Sequence, residues 1–234
     1  MDALAALAAN PSAAALCFDV DGTLAPIVPD PADARVPDPT RAELRRLAGR
    51  YALVACISGR TSELARAIVG VPELTYVGEH GLELEPAAGE WSERIRVFGA
   101  TAAWPVEEKP FSAAFHYRTA ADPAAARQRL QEIEAEARNQ GLRTRWGRLV
   151  LEVLPPVEAS KRTAVSHLLE QYGLRRALYA GDDTTDLDAF SALDGLELAV
   201  RVAVASAEAP TELRERADVV VESPDALARL LTEL

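Results

Sequence analysis

The sequence predicts an α/β protein in which a smaller α+β domain interrupts a core built on a parallel sheet. At both ends of the chain, apolar runs of four to six residues alternate with helical patterns. In the middle, over residues 81–156, the predicted strands alternate apolar and polar residues instead. Continuous apolar strands are typical of parallel sheets that helices cover on both faces, and alternating strands are typical of antiparallel sheets with one solvated face.

The first part of the predicted core contains three strands and two helices. Apolar runs indicate strands at residues 13–18, 52–57 and 75–77, and helical patterns occupy residues 40–49 and 63–69. A helix separates each strand from the next, which is the order of elements in a β-α-β unit. We therefore expect these strands to be parallel.

The middle of the chain is predicted to form a separate α+β domain of residues 83–158, inserted into a core of residues 1–82 and 159–234. Its elements are strands at 111–117 and 149–153, a helix at 122–139 and a hairpin turn at 145–148. Proline-rich joints near Pro86 and at Pro155-Pro156 mark its ends. We expect a cleft between the two domains.

The last part of the chain returns to the β-α-β pattern. Helices are predicted at residues 160–172 and 186–193, and strands at residues 177–180 and 218–221. Ser223 and Pro224 then provide an N-cap and a proline at the first helical position of a closing helix.

The composition limits the kinds of partner that the chain can bind. Of 234 residues, 49% are hydrophobic and 26% are charged, as in an ordinary globular protein. The 25 Lys and Arg against 36 Asp and Glu give a net charge of −11. Because this charge repels phosphate backbones and anionic lipids, we expect neither nucleic-acid nor membrane binding. A small anionic substrate remains possible where cations gather locally, and we expect a monomer.

Targeting signals are not evident in the sequence. The alanine-rich start has no Lys or Arg before its apolar stretch, and no apolar run approaches the ~20 residues that cross a bilayer. Cys17 and Cys56 lie in predicted buried strands, where they are expected to be small core residues. These features predict a cytoplasmic protein with reduced cysteines.

Two aspartates, Asp19 and Asp21, follow the first predicted strand. The carboxyl ends of parallel strands form the ligand-binding edge of an α/β sheet. A calcium-binding EF-hand loop is excluded because Gly22 comes directly after the second aspartate. The alternative is that one aspartate caps a helix and the other forms a turn.

Three further motifs lie at strand ends or helix starts. Ser58, Gly59 and Arg60 offer a hydroxyl and backbone N–H groups that suit a phosphate oxygen, although Ser-Gly is also a common turn. Lys161 opens a helix, where a cation opposes the helix dipole unless an anion binds beside it; a solvated lysine is the alternative. The third motif, Asp182, Asp183 and Asp186, is a cluster of carboxylates that requires a neutralising cation, for which Mg²⁺ is suited.

The four motifs together resemble the haloacid dehalogenase (HAD) superfamily of phosphatases. The resemblance implies a Rossmann-like parallel-sheet core, in which Asp19 forms an aspartyl-phosphate and Asp21 acts as general acid and base. It also implies that Asp19, the backbone carbonyl of Asp21 and Asp182 hold Mg²⁺. Asp183 and Asp186 would orient the water ligands of the metal, while Ser58 and Lys161 hold the phosphoryl oxygens.

Within this superfamily the sequence is most similar to the trehalose-6-phosphate phosphatase family. The resemblance implies that the inserted domain is a type II cap, which recognises the leaving group of the substrate. The resemblance rests on segments 19–27, 78–83, 115–118, 147–148, 152–153 and 181–186, together with Lys109. It implies that cap residues contact the sugar, and the candidates are Glu107, Lys109, His116, Arg118, Arg148 and Glu152. Lys109, Arg148 and Glu152 are the strongest of these, and His80 is expected to line the domain junction or shape a turn.

The expected activity is the Mg²⁺-dependent hydrolysis of trehalose 6-phosphate to trehalose and phosphate. One alternative keeps the chemistry and changes the substrate to another disaccharide, pseudo-disaccharide or sugar phosphate. A second alternative is a non-catalytic sensor of sugar phosphates. Intact Asp19, Asp21, Lys161 and Asp182 argue against the sensor.

Overall fold

The computed structural model describes residues 3–147, 149–205 and 210–234, which fall into two units with one sheet each. The core unit comprises Met1–Gly81 and Ala159–Leu234, and the inserted unit comprises Leu82–Glu158. Numbered along the chain, the strands are β1 (Ala15–Phe18), β2 (Leu53–Ile57), β3 (Thr75–Val77), β4 (Glu107–Glu108), β5 (Ala113–His116), β6 (Arg143–Gly147), β7 (Val150–Leu154), β8 (Arg176–Gly181), β9 (Leu198–Val204) and β10 (Val219–Val221).

The helices are numbered in the same way. They are α1 (Ala3–Ala8), α2 (Asp38–Ala48), α3 (Ser62–Val69), α4 (Ser92–Thr101), α5 (Pro123–Asn139), α6 (Lys161–Gln171), α7 (Thr184–Ser191), α8 (Thr211–Arg216) and α9 (Pro224–Leu231). Among the described residues, every helix is too short or too polar to cross a lipid bilayer.

The sheet of the core unit is parallel throughout, with the strand order β10-β9-β8-β1-β2-β3. β1 lies between β2 and β8, so that Phe18 is in register with both Cys56 and Ala180. The residues that follow these three strands therefore emerge side by side at one edge. With the separate antiparallel sheet described below, this architecture confirms the predicted fold class.

Helices pack against both faces of the core sheet because its strands are apolar on both sides. Leu16 and Phe18 of β1 belong to one buried cluster with Leu44 of α2 and Leu227 of α9. On the other face, the ring of Tyr179 in β8 meets an α7 phenylalanine edge-on, with the centroids 6.1 Å apart. Cys17 and Cys56 are free thiols, and burial raises the pKa of Cys17 to about 12. Both cysteines are core residues, as expected.

The sheet of the inserted unit is antiparallel, with the strand order β4-β5-β7-β6. Phe115 of β5 and Leu151 of β7 pack in one cluster with Phe98 of α4 and Leu130 of α5. The side chain of Asp122 caps α5 by accepting hydrogen bonds from two backbone N–H groups, and Pro123 occupies the first helical position. One face of this sheet therefore carries the helices, and alternate residues point to the other face.

Several elements of the structure differ from the sequence-based prediction, which lacked α1, α4, α8, β4, β6 and β9. The hairpin turn predicted at 145–148 is wrong for Arg145 and Trp146, which lie in β6 and pair with β7. The chain reverses later, at Leu149, which has a positive φ of 58°. β9 was not predicted, although it supplies a full strand between β8 and β10.

Candidate active site

The site of the core unit is built at the carboxyl ends of β1, β2 and β8. Asp19 follows β1, Ser58 follows β2 and Asp182 follows β8. The backbone N–H of Asp19 donates to the Ala180 carbonyl (2.9 Å), and that of Ser58 donates to the Val77 carbonyl (2.9 Å). These bonds extend the sheet pattern by one residue and fix where each side chain begins.

Lys161 is the centre of a buried ion-pair cluster. It is the first residue of α6, and its side chain is only 2% exposed. Its Nζ donates to Asp19 Oδ1 at 2.6 Å and to Asp186 Oδ1 at 2.7 Å. Burial alone would lower the pKa of Lys161, but the carboxylates of Asp186 and Asp19 outweigh it and raise the pKa above the ordinary value. Lys161 is therefore a charged, structurally fixed cation.

Asp186 is held by four hydrogen bonds. Its Oδ1 accepts from Lys161 Nζ and from the Tyr179 hydroxyl (2.7 Å), and its Oδ2 accepts from the backbone N–H groups of Asp182 and Asp183 (both 2.9 Å). These bonds join α6, β8 and the loop between β8 and α7. Asp186 thus anchors Lys161 and shapes the loop that carries Asp182.

Asp183 has a different place from its neighbours. It is the N-cap of α7, and its side chain accepts from the backbone N–H of Thr184. Asp182 instead turns toward the cluster, where its Oδ1 accepts from the Thr23 hydroxyl at 3.0 Å. The two adjacent aspartates therefore have different roles: Asp183 caps a helix, and Asp182 belongs to the buried cluster.

The buried carboxylates fit a divalent cation. Ligand atoms of Asp19, Asp182 and Asp186 lie within 4.8 Å of one another. Burial, reinforced by Asp186, raises the pKa of Asp182 to about 7, and burial also raises the pKa of Asp19 well above its ordinary value. A cation would relieve both effects. Because hydrogen bonds already occupy Asp186, Asp19 and Asp182 are the carboxylates suited to Mg²⁺, which commonly takes one or two.

Gly22 permits the close approach of Asp182 to the loop after β1. Its φ is +89°, and a Cβ at this position would lie 2.1 Å from Asp182 Oδ2. A side chain of any size at position 22 would therefore displace the Asp182 carboxylate.

We expect Gly22→Ala to destabilise the protein more than Gly195→Ala. Gly195 also has a positive φ, +78°, but nothing lies within 4 Å of a Cβ built there, so that variant reports the backbone cost alone. This cost is about 1–2 kcal/mol, and Gly22→Ala adds a clash with Asp182. Denaturant unfolding of both variants without divalent cations measures the difference, and equal losses would contradict the expectation.

Asp21 and Arg60 form a bidentate ion pair near the cluster. Arg60 Nε donates to Asp21 Oδ2 at 2.7 Å, and Nη2 donates to Oδ1 at 2.8 Å. The Ser58 hydroxyl oxygen accepts from the backbone N–H of Arg60 at 3.1 Å. The structure thus brings Arg60, expected to bind substrate, onto the carboxylate of Asp21.

His80 lies against the loop that follows β2. Its backbone N–H donates to the Ser58 carbonyl at 2.8 Å, and a Cβ at Gly59 would be 2.5 Å from His80 Nε2. Glu79 and His80 both have positive φ values, 47° and 55°. The strained turn places the imidazole directly over Gly59, in a position where only glycine fits.

In the inserted unit, four strand residues form a cross-strand row on the face opposite α4 and α5. Glu107 is in register with Ala114, Ala114 with Glu152, and Glu152 with Arg145. Glu152 is buried and accepts from Arg145 Nε (2.9 Å) and Nη2 (2.6 Å), while Lys109 Nζ lies 3.4 Å from its other oxygen. Two cations thus surround one carboxylate.

Two of the remaining candidates of the inserted unit, His116 and Arg118, lie outside this row. His116 Nε2 lies 2.6 Å from Glu107 Oε2, and both side chains are about half exposed. Arg118 is exposed in the turn after β5. Arg148 lies outside the described residues.

We expect Glu152→Gln to lower stability at neutral pH by about 1–3 kcal/mol. Burial opposes ionisation, but Arg145 and Lys109 hold the pKa of Glu152 below its ordinary value of 4.5. A carboxyl whose pKa falls on folding stabilises the native state above its unfolded pKa and loses that contribution as the pH falls through the folded pKa.

The difference in unfolding free energy between wild type and Glu152→Gln should therefore narrow on acidification below 4.5. Denaturant unfolding at neutral pH and at about pH 3 measures this change. Glu107→Gln is the control, because its half-exposed pair with His116 should contribute under about 1 kcal/mol. A difference that stays constant with pH would refute the assignment.

Comparison with known proteins identifies the family. A family model described as Trehalose-phosphatase matches residues 17–98 and 95–219. The chain belongs to the trehalose-phosphatase family. This assignment confirms the family resemblance read from the motifs, and it makes the chain a member of a family of phosphatases.

Curated relatives in the trehalose-phosphatase family are longer than this chain. The trehalose-phosphate phosphatase of Mycobacterium avium is 37% identical over an alignment of 212 residues that covers 77% of this chain and 51% of that protein. Probable trehalose-phosphate phosphatase G of Arabidopsis thaliana is 31% identical over 223 residues, covering 76% and 58%. The chain spans about half the length of the curated relatives it matches.

Solved structures share the fold. The C-terminal domain of C. albicans trehalose-6-phosphate phosphatase aligns with a TM-score of 0.78 at 23% identity, covering 99% of this chain and 96% of that chain. Aspergillus fumigatus trehalose-6-phosphate phosphatase gives 0.68 at 26% identity, with 98% and 95% covered. A haloacid dehalogenase-like hydrolase from Bacteroides thetaiotaomicron gives 0.68 at 16%, with 93% and 98% covered.

Three contact residues of this trehalose-phosphatase family member were not among the sequence-based candidates: Thr23, Tyr179 and Arg145. Thr23 stands two positions after Asp21, within the first motif itself. Tyr179 lies in an apolar strand, and a buried phenol needs a hydrogen-bond partner, which is a usable signal. Arg145 was assigned to a turn, and only the register of β6 with β7 places it opposite Glu152.

Proposed function

We propose that the chain hydrolyses trehalose 6-phosphate to trehalose and inorganic phosphate through an aspartyl-phosphate on Asp19. The observation that carries the proposal is the buried contact of Lys161 Nζ with Asp19 Oδ1 at 2.6 Å, at the carboxyl edge of the parallel sheet. This contact fixes one oxygen of the carboxylate, and the other, Oδ2, is the atom that attacks phosphorus in the proposed reaction. Family membership and the names of the curated relatives support the choice of substrate.

In the first step, Asp19 Oδ2 bonds to phosphorus as the bond between phosphorus and the sugar oxygen breaks. Asp21 gives its proton to the departing sugar oxygen, so that trehalose leaves as the alcohol. Ser58 and Lys161 hold the phosphoryl oxygens, and Lys161 carries the charge that this task needs.

In the second step, Asp21 takes a proton from water while the water oxygen bonds to phosphorus. The bond between phosphorus and Asp19 breaks, which returns the carboxylate and releases phosphate. Asp186 keeps Lys161 in place during both steps through its bonds with Lys161 and Tyr179.

We propose Mg²⁺ as the cofactor, held by Asp19, Asp182 and the backbone carbonyl of Asp21. When bound, it offsets the repulsion between the Asp19 carboxylate and the phosphate dianion. Asp183, the N-cap of α7, and Asp186 follow Asp182 in the sequence, and Asp186 shapes the loop that presents Asp182 by accepting from its backbone N–H.

For the sugar, we propose that the inserted unit supplies the hydrogen-bonding groups. The cross-strand row and its neighbours offer donors in Lys109 and Arg145 and acceptors in Glu152 and Glu107. A disaccharide presents many hydroxyls, and fixed charged groups discriminate such a leaving group from one that lacks them. His116, Arg118 and Arg148 are further candidates for these contacts. Gly59 lies in the loop after β2, and His80 packs against that loop from the turn after β3.

The deciding experiment is phosphate release, with Mg²⁺ and with EDTA, from trehalose 6-phosphate, sucrose 6-phosphate, glucose 6-phosphate and p-nitrophenyl phosphate. We expect a metal-dependent preference for the trehalose ester. Metal-dependent release from the other esters alone would support the phosphatase mechanism but contradict trehalose 6-phosphate as the substrate. No release from any ester would contradict the proposed phosphatase activity and favour a non-catalytic sensor of sugar phosphates.

We further propose that the chain acts as a monomer in the cytoplasm. Light scattering of the purified chain tests the first part, and fractionation of the source cells tests the second.

A further inference from the structure

The ion pair of Asp21 with Arg60 fixes the orientation of the Asp21 carboxylate. One guanidinium spans both oxygens, at 2.7 Å and 2.8 Å. The planar fork of arginine matches the plane of a carboxylate, so the pair fixes both the position and the rotation of the carboxyl group. A single contact would fix only the distance.

Arg60 is itself restrained at both ends. Its Nη1 donates to the Pro31 carbonyl at 3.1 Å, which ties the guanidinium to the chain that follows Asp21. Its backbone N–H donates to the Ser58 hydroxyl, and its backbone carbonyl accepts from the N–H of Glu79 at 2.8 Å. The side chain of Arg60 is only 19% exposed. The guanidinium is therefore a fixed support rather than a mobile surface group.

From this geometry we propose that Arg60 is a positioning residue that acts on the reaction through Asp21. The inference rests on the proposed function, in which Asp21 moves the proton. Each carboxylate oxygen has two lone pairs, so an arginine on one side leaves Asp21 able to exchange a proton with a group on its other side. Arg60 holds the carboxylate where that second group is the departing sugar oxygen.

This role differs measurably from direct contact with the phosphate. An arginine that binds phosphate lowers KM, and its removal weakens substrate binding whatever residue occupies position 21. An arginine that positions Asp21 affects kcat, and its effect disappears once Asp21 can no longer transfer a proton.

The leaving group provides a second distinction. Trehalose leaves as an alcohol and needs a proton, whereas nitrophenolate leaves without one. Replacing a positioning arginine should therefore slow the hydrolysis of trehalose 6-phosphate and have little effect on the rate of nitrophenolate release.

The experiment is a double-mutant cycle with wild type, Arg60→Gln, Asp21→Asn and the double variant. Steady-state kcat and KM are measured on trehalose 6-phosphate, and single-turnover nitrophenolate release is measured on p-nitrophenyl phosphate. We expect Arg60→Gln to lower kcat on trehalose 6-phosphate about 10²-fold, because a misplacement near 1 Å costs that much. KM should stay within about twofold, since ground-state binding is not altered.

In the Asp21→Asn background, Arg60→Gln should leave the rate of nitrophenolate release unchanged. The inference is overturned if Arg60→Gln raises KM without lowering kcat, or if it slows nitrophenolate release equally in both backgrounds. Arg60→Lys keeps the positive charge but lacks the planar guanidinium, so its kcat should be lowered as in Arg60→Gln. Full activity of Arg60→Lys would also overturn the inference.

Arg45→Gln is the matched control. Arg45 Nη2 likewise donates to a backbone carbonyl of the core unit, that of Gly70 at 3.0 Å, but it is remote from Asp21 in its contacts. It should keep wild-type kcat and KM. If the wild type does not hydrolyse trehalose 6-phosphate, or if Asp21→Asn retains full turnover, the proposed function fails. If both behave as expected but the effects of Arg60→Gln and Asp21→Asn simply add in the double variant, only the positioning role of Arg60 fails.

Discussion

Replacing Asp19 by asparagine is expected to abolish phosphate release while leaving the unfolding free energy unchanged or slightly higher. The amide cannot form the acyl phosphate, so turnover should fall by at least about four orders of magnitude. Burial raises the pKa of Asp19, Lys161 lowers it, and Asp186 and Asp182 raise it again, so that the pKa stays well above its ordinary value. Removing this carboxylate therefore removes a repulsion, while Lys161 keeps its bond to Asp186.

The two halves of this expectation are measured separately, by phosphate release with Mg²⁺ and by denaturant unfolding without divalent cations. Asp183→Asn is the matched control for stability, because Asp183 caps α7 rather than pairing with Lys161. A large loss of stability in Asp19→Asn would show that its bond with Lys161 outweighs the repulsion. Retained turnover would exclude Asp19 as the nucleophile.

The second large effect is expected for Lys161→Met, which should lose both turnover and stability. Methionine fills a similar volume but leaves Asp19 and Asp186 buried without their cation. Breaking a buried ion pair by removing one partner costs about 3–5 kcal/mol. The raised pKa of Lys161 is consistent with a strong preference for the charged form in the folded state.

Lys109→Met tests whether this cost belongs to the buried cluster. Lys109 lies 3.4 Å from Glu152 Oε1, and when the lysine is removed Glu152 keeps two hydrogen bonds from Arg145 to its other oxygen, Oε2. Its loss should therefore be markedly smaller. Unfolding without divalent cations compares the two variants, and equal losses would mean that Lys161 is no more than an ordinary ion-pair partner.

The sequence was most informative where function depends on residues at strand ends. β1, β2 and β8 each carry a motif residue directly after an apolar run, and parallel strands bring such residues together. The position of Asp19, Ser58 and Asp182 at one edge of the sheet followed from that rule alone. Local pattern and topology were sufficient there.

The partners of the side chains could not be predicted in the same way. The contacts of Thr23 with Asp182 and of Arg60 with Asp21 join residues far apart in the sequence, and no periodicity encodes them. Arg60 was expected to face the phosphate, because its place after Ser58 suggested it. The register of β6 likewise determines that Arg145 meets Glu152, and a turn misplaced by a few residues concealed it.

The position of β1 in the sheet has a consequence for how the chain is made. One neighbour of β1 is β2, which follows soon after, but the other is β8, whose residues 176–181 are synthesised only after the whole inserted unit. During synthesis on the ribosome, the apolar edge of β1 that pairs with β8 therefore stays unpaired, while Leu82–Glu158 can already fold around its own core. Translation pauses within that interval would prolong the exposure of β1, and a chaperone that shields apolar edges would act on this nascent segment.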